Sequence, residues 1–184
     1  MRILGISGSL RSGSHNAALV RAAAELLPPT DELVLWDGLR EVPPYDQDDD
    51  VEPAPPAVAS LRAAVAGADG VLIATPEYNS SVPGALKNAL DWASRPLATN
   101  AFRNKPVVVI GSSSGVFGAV WGQAELRKVL GTMGARVVEA EVAVGRAQDK
   151  IDADGRLVDH EAREQIADAL ATLVAETVPL PAAA

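Results

Sequence analysis

The chain has 184 residues, of which 48% are hydrophobic and 22% charged, which suits one globular domain with a well-buried core. Its net charge of −8 argues against a nucleic-acid partner, because such a partner requires a basic surface. Cysteine is absent, which excludes disulfides, thiolate catalysis and iron–sulfur ligation. No segment has the pattern of a membrane span or an export signal, so we expect a cytoplasmic protein with no membrane partner.

Apolar β-type runs alternate with helical patterns along almost the whole chain. The patterns predict strands at 2–7, 32–36, 69–75, 105–112 and 136–142, and helices at 14–27, 56–67, 83–95, 119–133 and 159–177. The runs at 69–75 and 105–112 are continuously apolar, which is typical of strands buried on both faces of a parallel sheet. We therefore predict an α/β fold, a doubly wound five-stranded parallel sheet with helices on both faces.

Two segments interrupt this alternation. Residues 37–56 are rich in proline and aspartate, and we interpret them as a solvated surface loop, the alternative being a rim or interface element beside a site. Residues 143–158 are predicted to be irregular, with a tight turn at 152–155. We expect one domain over residues 1–178 and a frayed tail over 179–184.

The strongest functional signal is the segment after the first strand. Residues 9–16, Ser-Leu-Arg-Ser-Gly-Ser-His-Asn, join an apolar strand to the start of a helix. Free amides at a helix N-terminus, the helix dipole, three hydroxyls and the charge of Arg11 make such a loop suitable for a phosphate group. The alternative is an ordinary strand-to-helix turn in which Ser14 or Asn16 caps the helix.

The loops after the third and fourth strands are also unusual. Residues 75–83, Thr-Pro-Glu-Tyr-Asn-Ser-Ser-Val-Pro, offer a flat aromatic ring and several hydrogen-bonding groups. Residues 112–119, Ser-Ser-Ser-Gly-Val-Phe-Gly-Ala, are mostly small, so backbone amides there can approach a flat ligand closely. If the strand order is 2-1-3-4-5, all three loops lie at the carboxyl edge where doubly wound sheets bind ligands.

Together these motifs resemble the NADPH-dependent FMN reductase family. The resemblance rests on residues 8–16, 76–92 and 113–118, and it extends to Gln123, Leu126 and Arg127 on the fourth predicted helix. It implies a flavodoxin-like fold with strand order 2-1-3-4-5, FMN as cofactor and NADPH or NADH as co-substrate. It also implies a ping-pong reaction in which a hydride passes from NAD(P)H to FMN and on to a small acceptor such as a quinone, an azo compound, a flavin or a metal oxyanion.

The resemblance assigns cofactor-binding residues but no catalytic side chain, because the flavin carries the chemistry. The phosphate and ribityl end is assigned to Ser9, Arg11, Ser14, His15 and Asn16. The isoalloxazine ring is assigned to Pro76, Glu77, Tyr78 and Asn79, with Ser80 close by, and its other edge to Ser113 and Gly115. A homodimer or homotetramer is implied as well.

Two departures from the family pattern concern the nicotinamide or acceptor side. Ala119 stands where a second glycine is common, and Val120-Trp121 stand where an arginine is common. Two other functions stay open from the residues alone, namely a flavodoxin-type electron carrier that does not react with NAD(P)H and a phosphate-ligand-binding module without redox chemistry. His15 and His160 are the only histidines and lie far apart in sequence, so we predict no metal site.

Overall fold

The computed structural model describes residues 1–177, so the predicted tail at 179–184 and residue 178 lie outside the described residues. The strands are β1 (Arg2–Ser7), β2 (Glu32–Trp36), β3 (Gly70–Thr75), β4 (Pro106–Ser112), β5 (Arg136–Val137) and β6 (Ala143–Val144). The helices are α1 (His15–Leu26), α2 (Pro56–Ala66), α3 (Gly84–Ala93), α4 (Val120–Thr132), α5 (Ala147–Lys150) and α6 (His160–Thr177). Two 3-10 helices, Gly38–Glu41 and Gln47–Asp49, lie between β2 and α2.

The sheet confirms the predicted topology. Its order is β2-β1-β3-β4-β5, with β6 also paired to β4, and each of these pairings is parallel. Every residue of β3 and β4 is buried, as their continuous apolar runs predict. The carboxyl ends of β1, β3 and β4 consequently meet at one edge, which places the three predicted loops side by side.

Helices cover both faces of the sheet and enclose two hydrophobic clusters. On one face α2, α3 and α4 pack around Trp92, Ile73 and Val109; on the other, α1 and α6 pack around Leu19, Ile110 and Leu173. Trp92 is fully buried, as expected of a residue that packs the third helix. Within the described residues, none of the helices has the length and apolar character required to cross a bilayer.

The prediction of one continuous strand over 136–142 is wrong. Pairing with β4 stops after Val137 and resumes at Ala143. In the gap, the Arg127 guanidinium donates to the carbonyl oxygens of Val109 (3.3 Å) and Ala140 (2.7 Å), so a side chain replaces the neighbouring strand as the partner of β4. The segment predicted to be irregular, 143–158, thus contains β6 and the short helix α5, and it also contains the predicted turn at 152–155.

The acidic, proline-rich segment 37–56 is more ordered than a solvated loop. The Asn88 side chain on α3 binds it twice, accepting from the amide of Tyr45 (2.8 Å) and donating to the carbonyl of Pro43 (2.8 Å). The indole of Trp92 donates to the same Pro43 carbonyl at 2.9 Å. These bonds fix the segment against α3 and set the position of the 3-10 helix that precedes it.

Candidate active site

The three loops enclose a cleft of about 160 Å³ at the carboxyl edge of the sheet. It is lined by Ser9, Arg11, Ser14, His15, Asn16, Pro76, Glu77, Tyr78, Ser112, Ser113 and Ser114. Nine of these residues are among those that the sequence predicts for cofactor binding. Of the other predicted residues, Asn79, Ser80 and Gly115 do not line the cleft, whereas Ser112 and Ser114 were missed although they belong to the same serine run.

The first loop ends in a helix cap. The Ser14 hydroxyl accepts a hydrogen bond from the amide of Ala17 at 3.2 Å, so Ser14 rather than Asn16 is the N-cap of α1. The earliest amides of α1 have no carbonyl acceptor within the helix, and His15 and Asn16, which bear two of them, line the cleft at the positive end of the helix dipole. The side chain of Arg11 is exposed beside them and adds a full positive charge.

Asn16 joins the first loop to the third. Its side-chain amide donates to the carbonyl of Ser112 at 3.1 Å, and its oxygen accepts from the amide of Ser112 at 2.9 Å. Asn16 is only 3% exposed, so both bonds are shielded from water. The role of Asn16 in this structure is therefore to hold the carboxyl end of β4 against the start of α1.

The second loop is a two-residue β-hairpin. Tyr78 and Ser81 exchange two backbone hydrogen bonds of 3.1 Å, and Asn79 and Ser80 both have positive φ angles, of 53° and 59°. This is the geometry of a type I′ turn, in which asparagine is favoured. The hairpin projects Tyr78 outward with 53% of its surface exposed. A hydrogen bond from the Ser81 hydroxyl lowers the pKa of Glu125 on α4, to which the hairpin is attached.

Glu77 connects the hairpin to the start of α4. One of its carboxylate oxygens accepts hydrogen bonds from the amides of Trp121 (3.0 Å) and Gly122 (2.9 Å). The N-cap position of α4 is Ala119, whose side chain has no capping group. The Glu77 carboxylate thus occupies the positive end of the helix in its place. This contact joins residues 44 positions apart and could not be read from the local pattern.

Backbone hydrogen bonds from β6 and the segment that follows it hold the third loop in place. The amide of Ser113 donates to Val144 (3.2 Å), and the carbonyls of Ser113 and Gly115 accept from Ala147 (3.1 Å) and Arg146 (2.8 Å). The loop closes through two residues in the left-handed region, Gly118 (φ 60°) and Ala119 (φ 65°). A Cβ at Gly118 would lie 2.3 Å from the carbonyl carbon of Ala143, so only glycine fits there.

The end of the third loop carries an exposed aromatic pair. Phe117 and Trp121 are 62% and 49% exposed, and their ring centroids lie 5.1 Å apart in an edge-to-face arrangement. Val116 beside them is 64% exposed. Because the hairpin packs on the first turn of α4, this patch and Tyr78 lie on adjacent elements. A flat apolar molecule that approaches this side of the cleft meets aromatic rather than charged side chains.

The doubly wound sheet, with a polar cleft at its switch point, is that of a flavodoxin-like protein. The chain belongs to the NADPH-dependent FMN reductase family, whose model matches residues 1–149. It is 44% identical to an NAD(P)H-dependent FMN reductase of Pseudomonas aeruginosa, over 94% of this chain and 93% of that one. It is 39% identical to a quinone reductase of Escherichia coli K12, with 86% of each chain covered. The structure of FerB, a flavoenzyme NAD(P)H:(acceptor) oxidoreductase from Paracoccus denitrificans, superposes with a TM-score of 0.82 at 32% identity, covering 96% of each chain.

The groups that the chain leaves free in the cleft fit FMN. Ser112 is 1% exposed, and its hydroxyl has no hydrogen-bond partner among the described residues. An unpaired buried hydroxyl costs about 1–3 kcal/mol, so a polar ligand that binds it is favoured. The free amides of α1 and the Arg11 guanidinium suit a phosphate, and the exposed ring of Tyr78 suits a flat heterocycle. As the sequence predicts, the protein is an NAD(P)H-dependent oxidoreductase with FMN as its cofactor.

Proposed function

We propose that this enzyme reduces quinones with electrons from NAD(P)H, and that its FMN lies in the three-loop cleft. The observation that carries the proposal is the convergence of an anion-binding loop, a projecting tyrosine and an exposed aromatic pair at one sheet edge. Relatives named quinone reductase and 2-hydroxy-1,4-benzoquinone reductase, the latter from a Burkholderia species at 37% identity, support this acceptor class. FMN, when bound, supplies the hydride chemistry itself.

The residues of the chain then bind and orient rather than transfer protons. Arg11, Ser9 and the first amides of α1 would hold the phosphate, with Ser14 and His15 beside them. The isoalloxazine ring would lie against Pro76, Glu77 and Tyr78, which line the cleft, and would extend to Asn79 outside that lining, with Ser80 close by. Ser113 and Gly115 would cover the opposite edge, and Asn16 would keep the two sides in register through Ser112.

The exposed aromatic pair favours a planar, uncharged acceptor. Phe117 lies in the third loop and Trp121 in the first turn of α4, where its amide binds Glu77 of the cleft, and about half or more of their surfaces are exposed. Their faces provide apolar area for a quinone ring, and they provide no positive charge for an anion such as chromate. A planar acceptor therefore matches this surface better than a metal oxyanion, and the relatives named as quinone reductases favour a quinone among the planar acceptors.

The visible absorption spectrum of the purified protein with added FMN tests this function. We expect the spectrum of bound flavin, which bleaches when NADPH is added without oxygen and recovers when a quinone follows. Bound flavin that resists both NADPH and NADH but accepts electrons from a separate reductase would instead identify an electron carrier. Failure to bind FMN at all would leave a phosphate-ligand-binding module as the better interpretation.

We also propose that the protein forms a homodimer or homotetramer. A second cavity, of about 320 Å³, lies between α3 and α4; its lining combines the apolar side chains of Leu90, Leu97, Val129 and Met133 with polar and charged ones such as those of Lys87 and Glu125. Leu97 is 51% exposed at its rim, and apolar surface of this kind supports self-association. Light scattering coupled to size-exclusion chromatography gives the mass directly, and a mass of 19.1 kDa would contradict the proposal.

A further inference from the structure

A second arginine contacts the phosphate-binding loop from a distant part of the chain. Arg40 lies in the 3-10 helix Gly38–Glu41, and its guanidinium donates a hydrogen bond of 2.6 Å to the carbonyl of Leu10. Leu10 directly precedes Arg11 in the first loop. The segment 37–56 thereby contacts the first loop as well as α3.

The charges of Arg11 and Arg40 are not neutralised within the protein. In residues 1–177, neither guanidinium lies within 4.0 Å of a carboxylate, whereas Arg62, Arg136 and Arg163 each form such an ion pair. Both side chains are exposed. Two arginines that form no ion pair in residues 1–177 thus lie on or against one loop, and such positive charge attracts an anion, although Asp37 and Glu41 beside Arg40 offset part of it.

We propose that Arg40 is a further binding residue for the phosphate of FMN, acting together with Arg11. A phosphate monoester carries a charge of about −1.5 to −2 at neutral pH, so a single arginine balances only part of it. Arg40 adds the second positive charge, and its bond to Leu10 holds the loop that bears the first. This inference depends on the placement of the phosphate end proposed above.

The affinities of the apoprotein for FMN and for riboflavin isolate this role, because riboflavin is the same molecule without the phosphate. Flavin fluorescence titration of Arg40→Gln is expected to show an FMN Kd raised about fivefold at low salt, with the riboflavin Kd unchanged. The difference should shrink at high salt, because exposed charges are screened. Arg40→Lys keeps the charge and should retain most of the preference for FMN.

Arg21→Gln is the matched control. Arg21 is also exposed and also donates to one backbone carbonyl, that of Gly155 at 3.1 Å, but it lies away from the cleft. Its substitution should leave both affinities unchanged. If Arg40→Gln weakens FMN and riboflavin equally, Arg40 only braces the loop and the inference is wrong; unchanged FMN affinity contradicts it as well.

The variant Arg11→Ala separates this inference from the function on which it depends. If Arg11→Ala lowers affinity for FMN but not for riboflavin while Arg40→Gln has no effect, only the role of Arg40 is wrong. If neither variant discriminates between the two flavins, the phosphate does not bind at this loop and its proposed placement fails.

Discussion

The two sides of the cleft are built differently. On the hairpin side, Tyr78 and Ser81 pair through their backbones, Glu77 binds two amides of α4, and Ser81 and Val82 both contact Glu125. On the phosphate side, residues 10–13 are exposed. Their bonds to the rest of the protein are few: the amide of Arg11 contacts Ser9 at 3.3 Å, and Arg40 contacts Leu10.

This difference indicates which side of the cleft depends on a bound ligand for its polar contacts. The hairpin side satisfies its polar groups internally, so its shape is set before a flavin arrives, as pre-organised sites require. The phosphate side exposes amides and positive charge, which water solvates in the apoprotein and which an anion can bind and neutralise. Substitutions on the hairpin side should therefore change the stability of the apoprotein, and those on the phosphate side should change ligand affinity.

The largest effect is expected for Glu77→Ala. It removes both hydrogen bonds to the start of α4 and leaves the amide of the buried Gly122 without a partner. A lost cap together with lost charge-assisted bonds costs about 2 kcal/mol of unfolding free energy. Urea denaturation of the apoprotein, followed by circular dichroism, measures this change.

Glu77→Gln is the matched control, because it keeps an oxygen acceptor and removes only the charge. We expect it to lose about half as much unfolding free energy, since the interaction with the helix dipole is lost but a neutral hydrogen bond can persist. If Glu77→Ala unfolds at the same urea concentration as the wild type, the hairpin side is not held by this contact and the comparison fails there.

Arg11→Ala is expected to act on affinity alone. Removing a full positive charge from the phosphate loop should weaken FMN binding about tenfold, an energy of about 1.4 kcal/mol. The unfolding free energy of the apoprotein should stay within about 0.5 kcal/mol, because the side chain is exposed and forms no ion pair in residues 1–177. Flavin titration and urea denaturation of the same preparation give both values; a clear loss of apoprotein stability would show that this loop is also pre-built.

Trp121→Ala is expected to have a smaller effect, limited to the acceptor. We predict that kcat/KM for a naphthoquinone falls about fivefold, which corresponds to the loss of one aromatic contact, whereas kcat/KM for ferricyanide stays unchanged. Val116→Ala removes less area from the same exposed patch and serves as the control. Equal losses for both acceptors would place Trp121 outside the acceptor site, and a change in molecular mass would assign it to a subunit interface.

The sequence predicts the fold almost completely, and the exception has a clear cause. Continuous apolar runs identify β3 and β4, and the helical patterns identify the long helices to within a few residues. The break between β5 and β6 is invisible because Val138, Val142 and Val144 keep the alternation of a strand across it. At this break the Arg127 side chain, from α4, donates a hydrogen bond to the carbonyl of Val109 in place of a strand. Local periodicity contains no information on such a long-range contact.

For the site, the sequence identifies which loops form the cleft more accurately than it identifies what each residue of those loops contacts. Residue type alone marks Asn16 and Glu77 as polar groups near a ligand. In the structure, however, Asn16 binds Ser112 and Glu77 caps α4. These partners belong to the end of β4 and the first turn of α4, more than 40 residues away in the chain. Arg40 was missed for the same reason, because its contact with Leu10 appears only when the segment after β2 folds back against the first loop.

The smallest effect is expected for Ala119→Gly, and its sign tests how far the start of α4 tolerates strain. Ala119 has φ 65° and ψ 33°, a left-handed conformation that costs about 1–2 kcal/mol for a residue with a Cβ. Glycine removes that cost but loses a buried methyl group and gains freedom in the unfolded chain, which together offset most of it. We expect a net gain of about 0.5 kcal/mol in urea denaturation. Ala124→Gly, at an exposed position within the same helix, should instead lose about 1 kcal/mol. Equal losses of unfolding free energy in the two variants would mean that Ala119 carries no strain. Changes of opposite sign would mean that the contacts of Glu77 and Gly118 hold the start of α4 in place despite the strain at Ala119.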